Sequence, residues 1–163
     1  MTILVLLLSF LILVIVFILI GHFRLIKQYE QELEGEHDQR IKMTEFYDIL
    51  IRWVELYQEK EVLSKWIKEK GYKKIAVYGM RELGILLYRE LLQEGLDVCC
   101  AIDKNADNLS RNHHMEILKP TKDLPNLDVI IVSAPHYYEQ IKKELAGLTE
   151  AEIVSIEDII FEM

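Results

Sequence analysis

Along the C-terminal half, short wholly apolar runs alternate with segments in which leucine and isoleucine return at steps of three and four. This is the signature of parallel strands buried on both faces and of the helices that cover them. Ile75, Ala76, Val77 and Tyr78 make the first such run. Gly79 follows at once, and Leu83, Leu86, Leu87, Leu91 and Leu92 then recur at helical spacing until Gly95 supplies a left-handed stop. Asp97–Ile102 and Asp128–Ser133 read as further strands, Glu152–Ile156 as the last, and Glu116–Leu118 as a short strand at the edge. Pro135 suits the first position of a helix that runs to about Gly147, with Ser133 as its cap. The predicted fold class is α/β: a small Rossmann-like parallel sheet with flanking helices, preceded by amphipathic helices and an N-terminal transmembrane helix.

The N-terminal half follows other patterns. From Ile3 to Ile20 only Ser9 is polar, giving about eighteen apolar residues, or roughly 27 Å of helix against a hydrocarbon core of about 30 Å. No basic start or small-residue cleavage site marks it as a secretory signal. Arg24 and Lys27 follow it with no side-chain cation before it. The expectation is therefore a single-pass cell-membrane protein whose C-terminal domain is cytoplasmic. Lys27–Arg40, rich in glutamate and interrupted by Gly35, reads as a charged helical stalk or flexible linker. Phe46, Leu50, Trp53 and Tyr57 then recur at steps of three and four. Leu63, Trp66 and Ile67 continue after a charged break at Glu59–Glu61, and Gly71 closes the segment. These are two amphipathic helices whose aromatic face packs on the sheet or on a second copy. The expected divisions are 1–22 anchor, 23–43 stalk, 44–71 amphipathic helices and 72–163 Rossmann-like domain.

Candidate chemistry gathers where the strands end. In a dinucleotide fingerprint the first glycine makes the turn, the second admits a pyrophosphate, and the third lets helix and strand pack closely. In Gly79-Met80-Arg81-Glu82-Leu83-Gly84, glycines hold the first and third places and Arg81 the second. Arg81 either obstructs a diphosphate or meets a phosphate from outside with a bidentate guanidinium added to the helix dipole. The third reading is a fold that has lost its ligand. Asp103, about twenty residues beyond the turn, is placed to accept hydrogen bonds from a ribose. It repels a 2′-phosphate, so NAD-like or nucleoside-diphosphate ligands fit better than NADP. It equally suits an Asx turn with Asn105 and Asn108. Asp103, Lys104 and Asn105, together with Ser133, Ala134 and Pro135, complete the candidate binding set, because open α/β sheets hold ligands at the carboxyl ends of their strands. His136 and Tyr137 are the candidate groups for proton transfer, but no nucleophile with an adjacent base is evident.

Composition narrows the partners. The formal net charge of −8 argues against nucleic acid, whose phosphates demand a basic surface. Cys99 and Cys100 are adjacent in a predicted strand, so their side chains point to opposite faces and cannot share a metal. They read as two buried free thiols. His113 and His114 sit in a loop without other ligands at zinc spacing and read as solvated.

Trp53, Trp66-Ile67, GYKKIAVYGMRELGILLYREL, AIDKNAD, DVIIVSAP and IVSIEDII together resemble a Rossmann-like module of bacterial exopolysaccharide and cell-surface glycan loci, often beside or fused to glycosyltransferases. The likeness covers roughly residues 44 to 163. Members usually read YGMG.LG, and Arg81 stands at the second glycine. The resemblance implies a nucleotide or nucleotide-sugar binding fold with no established reaction. Two functional classes follow: an accessory binding module for polysaccharide biosynthesis, with a glycosyltransferase or a second copy as partner, or a small NAD-dependent oxidoreductase or epimerase-like enzyme. A ligand-free scaffold or sensor for a membrane partner is the further alternative. The absence of a complete catalytic constellation favours a non-enzyme.

Overall fold

The computed structural model describes residues 2–109 and 115–163, and for residues 2–12 and Val14 the backbone alone. His113 and His114 lie outside the described residues. The chain forms two units, Met1–Thr44 and Glu45–Met163.

The described residues of the first unit are all helical, within α1 (Thr2–Gln58). The expected transmembrane anchor is corrected here. Among the described residues no helix is long and apolar enough to cross a membrane, and the single-pass localisation built on it goes with it. Most of Ile3–Ile20 belongs to the residues whose side chains are not described. The expected stalk is helix without interruption at Gly35, because one glycine costs only about 1 kcal/mol and Lys42 supports the helix by pairing with Asp38 one turn earlier at 2.5 Å.

The second unit holds the end of α1, α2 (Leu63–Lys70), β1 (Ile75–Tyr78), α3 (Glu82–Gln93), β2 (Val98–Ile102), α4 (Ala106–Leu109) and β3 (Ile117–Leu118). These are followed by β4 (Val129–Val132), a 3-10 turn (Pro135–Tyr137), α5 (Tyr138–Leu145), β5 (Glu152–Ser155) and α6 (Ile156–Glu162). The strands are all parallel in the order β3-β2-β1-β4-β5. Strands β1 and β4 are central and buried at every residue. Ile75, Val77, Val129 and Ile131 face a core shared with Ile49, Trp53, Leu63, Ile67, Leu87 and Ile160. Ala76, Tyr78, Ile130 and Val132 face a smaller core closed by Ile141 and Leu145 of α5.

Carboxylates fasten these layers. Asp128 accepts hydrogen bonds from Lys73 N at 2.7 Å and Lys74 N at 2.8 Å, and the two backbone donors, Lys74 foremost, hold its carboxyl below the usual range. Glu90 on α3 accepts from Trp53 Nε1 of α1 and from Leu63 N at the start of α2, both at 2.7 Å. It does for α2 what its N-cap, Val62, cannot do, since a valine carries no acceptor.

Three further expectations are corrected. Cys99 is exposed and only Cys100 buried. The pairing of β1 with β2 slips between Ile75 and Ala76, so that Ile75 faces Val98 and Ala76 faces Cys100. Cys99 is the extra residue of a bulge and drops out of the in-out alternation. The final strand ends at Ser155, where the hydroxyl accepts from Glu157 N at 3.2 Å and starts α6. That helix buries Ile159 and Ile160 and sets Glu162 to accept from Trp66 Nε1 at 3.0 Å. Lastly, Ser133 caps no helix: Pro135 opens a 3-10 turn whose N-cap is Ala134, without a side-chain bond.

Candidate functional site

The order of the strands reverses between β1 and β4, and the loops that leave their carboxyl ends form the candidate site. Gly79 turns the chain with φ of 90°, a conformation that an L side chain resists. Its N–H donates to Ile102 O at 2.8 Å. The start of α3 then presses back on this turn. A Cβ built on Gly84 would lie 1.9 Å from Gly79 O and 2.8 Å from Ser133 Oγ. The first and third glycine places therefore have their geometric reasons: one bends the chain, and the other lets the helix touch the turn.

Ser133 locks the contact from β4. Its single hydroxyl proton is shared between Gly79 O at 2.6 Å and Tyr78 O at 3.0 Å, and its N–H donates to Tyr78 O at 2.9 Å. With only 8% of its surface exposed, the side chain serves the turn and offers little to a ligand. Met80 and Leu83 are buried as well. Of the candidate residues on this loop, Arg81 and Glu82 are the ones whose side chains meet solvent. Arg81 is the N-cap of α3 in extended conformation, without a side-chain cap bond, so its exposed side chain starts from the residue next to helix N–H groups that have no intrahelical acceptor.

Asp103 is engaged within the protein. Its Oδ2 accepts from Met80 N at 3.0 Å and its Oδ1 from Asn105 N at 2.8 Å. The Asx-turn reading thus describes a bond that is present, and a second bond ties the end of β2 to the glycine turn. An ionised carboxylate has about four acceptor directions, so a ribose would compete only for those left over. Lys104 leans away to Glu144 of α5 at 2.7 Å. Ala134 and Pro135 lead into the turn that carries His136, whose Nδ1 lies 3.2 Å from Glu45 Oε2.

Tyr78 escaped the sequence reading because it looks like one more strand residue. Among the described residues its hydroxyl is buried with no hydrogen-bond partner. Burial first, and then the charges of Glu144 and Asp103, push its pKa up to about 12. Tyr78→Phe removes an unsatisfied polar atom while keeping the ring, so we expect urea unfolding to show the variant about 1 kcal/mol more stable. Among the described residues no group of three or more acidic, histidine or cysteine side chains is arranged to hold a metal ion.

Comparison with known proteins adds a family. The profile described as C2185-like, N-terminal, matches residues 71–154, just over half of the 163 residues. The chain belongs to the C2185-like, N-terminal family. The matched segment begins at Gly71, which closes α2 in the left-handed conformation, and ends within β5. The C2185-like domain thus contains the glycine turn, Asp103 and Ser133, the three parts that meet at the carboxyl ends of the strands. Neither the curated proteins nor the solved structures yield a match.

Proposed function

We propose that the C2185-like domain binds a phosphorylated, nucleotide-derived ligand at the N-terminus of α3 and serves as an accessory module in cell-surface polysaccharide biosynthesis, alongside a glycosyltransferase. One observation carries the reading. Gly84 lets α3 close on Gly79 O, which brings the helix N-terminus to the carboxyl end of β1 with Arg81 exposed beside it. A helix N-terminus favours phosphate through its free N–H groups and its dipole, and a guanidinium adds bidentate bonds. A nucleoside diphosphate or nucleotide sugar provides the phosphate, and the remaining acceptor directions of Asp103 suit a ribose hydroxyl. The oxidoreductase alternative draws less support, since a dehydrogenase needs substrate-binding residues beyond the nucleotide fold and the chain has little sequence left to supply them.

A specific observation favours a second reading, the ligand-free scaffold. Both oxygens of Asp103 and the hydroxyl of Ser133 are already taken up by the backbone. Thermal denaturation of the full chain with NAD, UDP-sugars and CoA separates the two. A ligand at a hundred times its dissociation constant adds about 2.7 kcal/mol, and no shift with any of them would leave the scaffold. If Arg81 holds the phosphate, Arg81→Gly abolishes the shift given by the wild-type ligand. If it obstructs, the same variant gains NAD affinity.

A further inference from the structure

We propose that Tyr78 is a ribose-reading residue: its buried hydroxyl donates a hydrogen bond to a hydroxyl of the ribose carried by the phosphate that α3 holds. The inference rests on the phosphate reading above and adds a recognition group to that site. Tyr78 is the last residue of β1 and pairs with Ile102 and Val132, the last residues of β2 and β4. It therefore stands directly before the glycine turn, where the strand order reverses. The residue is 5% exposed. Its hydroxyl is one of two buried side-chain polar atoms without a hydrogen-bond partner among the described residues, Ser64 Oγ being the other. Buried polar atoms are nearly always paired, so an exception in a native fold needs a reason. Packing does not supply one. The ring fills the smaller core beside Ile102 and Val132, and phenylalanine would fill it equally.

The groups around the hydroxyl select what it meets. Burial above all keeps it protonated, with its pKa pushed up to about 12, so at neutral pH it donates. The charges that act on it are those of Glu144 and, after it, Asp103. Two carboxylates oppose an anionic group here and favour an uncharged one that both accepts and donates, as a sugar hydroxyl does. Asp103 ties this position to the phosphate, because its Oδ2 accepts from Met80 N at 3.0 Å in the turn that leads into α3. A ribose hydroxyl that accepts from Tyr78 gives its own proton to an acceptor direction that Asp103 has left. Glu144 is held by Lys104 Nζ at 2.7 Å and by Gln140 Nε2 at 3.0 Å. The Lys104 and Glu144 side chains are 53% and 37% exposed, and exposed ion pairs contribute little. This polar cover therefore parts for a ligand without much resistance.

Isothermal titration calorimetry of the full chain with ADP, GDP and UDP, each beside its 2′,3′-dideoxy counterpart, tests this. We expect Tyr78→Phe to weaken the best-bound ribonucleotide about tenfold. The dideoxy counterpart should stay within about twofold, so that the loss appears only where the ribose hydroxyls are present. The variant keeps the ring and is expected to fold more stably than the wild type, so weaker binding does not come from a damaged fold. Wild type that binds ribo and dideoxy forms equally, or Tyr78→Phe that weakens both forms alike or neither, would overturn the inference and leave the phosphate reading intact. Wild type that binds none of the diphosphates would overturn the phosphate reading and this inference with it.

Discussion

Gly84→Ala is expected to cost more than about 3 kcal/mol, at the upper end of what overpacking does, and to bring the second unit close to unfolding at room temperature. Propensity alone argues the opposite, because alanine in a helix is favoured over glycine by about 1 kcal/mol. The geometry overrides it. The new Cβ would lie 1.9 Å from Gly79 O, so helix and turn must separate. The turn cannot yield cheaply: Gly79 N is bonded to Ile102 O at 2.8 Å, Met80 N to Asp103 at 3.0 Å, and Gly79 O receives the Ser133 hydroxyl at 2.6 Å. Moving α3 instead would open the core around Leu83, Leu87 and Leu91. Gly147→Ala is the control. Nothing lies within 4 Å of its added Cβ, so urea unfolding should place it within about 0.5 kcal/mol of wild type. An equally mild Gly84→Ala would show that the glycine turn and α3 do not touch as described.

The same contact explains how much of the fold can be read from the chain. The strands Ile75–Tyr78 and Val129–Val132 are legible because burial on both faces leaves an unbroken apolar run, and their helices are legible from leucine spacing ended by glycine. Features that depend on two distant segments meeting are not legible. The bulge at Cys99 depends on how β2 registers against Ile75 and Ala76, and nothing within β2 signals it. In the closing segment apolar residues follow one another so densely that strand passes into helix without a change of pattern. Ser155, with Glu157 and Asp158 behind it, was the available sign of a helix start. The N-terminal run misleads for a different reason. It was read from hydropathy alone, whereas among the described residues no helix is long and apolar enough to cross a membrane, and most of the run lies where the side chains are not described. At the candidate site the spacing of Asp103 from Gly79 was legible, but the partner it meets first was not. A carboxylate placed for a ribose is also placed for the backbone of the turn, and Met80 N is nearer than any ligand.

Glu90→Ala should produce the second large loss, about 3 kcal/mol. The reasoning begins with what the truncation leaves behind rather than with what it removes. Trp53 Nε1 and Leu63 N each donate to this carboxylate at 2.7 Å, and each would be left without an acceptor at a penalty of about 1–3 kcal/mol. Trp53 is 8% exposed and Leu63 1%, so water reaches these donors poorly. Glu90→Gln separates charge from hydrogen bonding, since the amide oxygen keeps one acceptor and loses the negative charge. The pH dependence has a defined sign. Desolvation raises the Glu90 pKa above its ordinary value, against the lowering effect of the Trp53 and Leu63 bonds. The folded state therefore holds the proton more tightly than the unfolded chain. Its stabilising contribution is complete below the unfolded value and is lost as pH rises through the folded one. The stability difference between wild type and Glu90→Gln, measured by urea unfolding from pH 4 to pH 7, should consequently drift against the wild type as pH rises. A drift in the opposite direction would mean that the two hydrogen bonds outweigh burial and that Glu90 behaves as Asp128 does, held ionised by the backbone it caps.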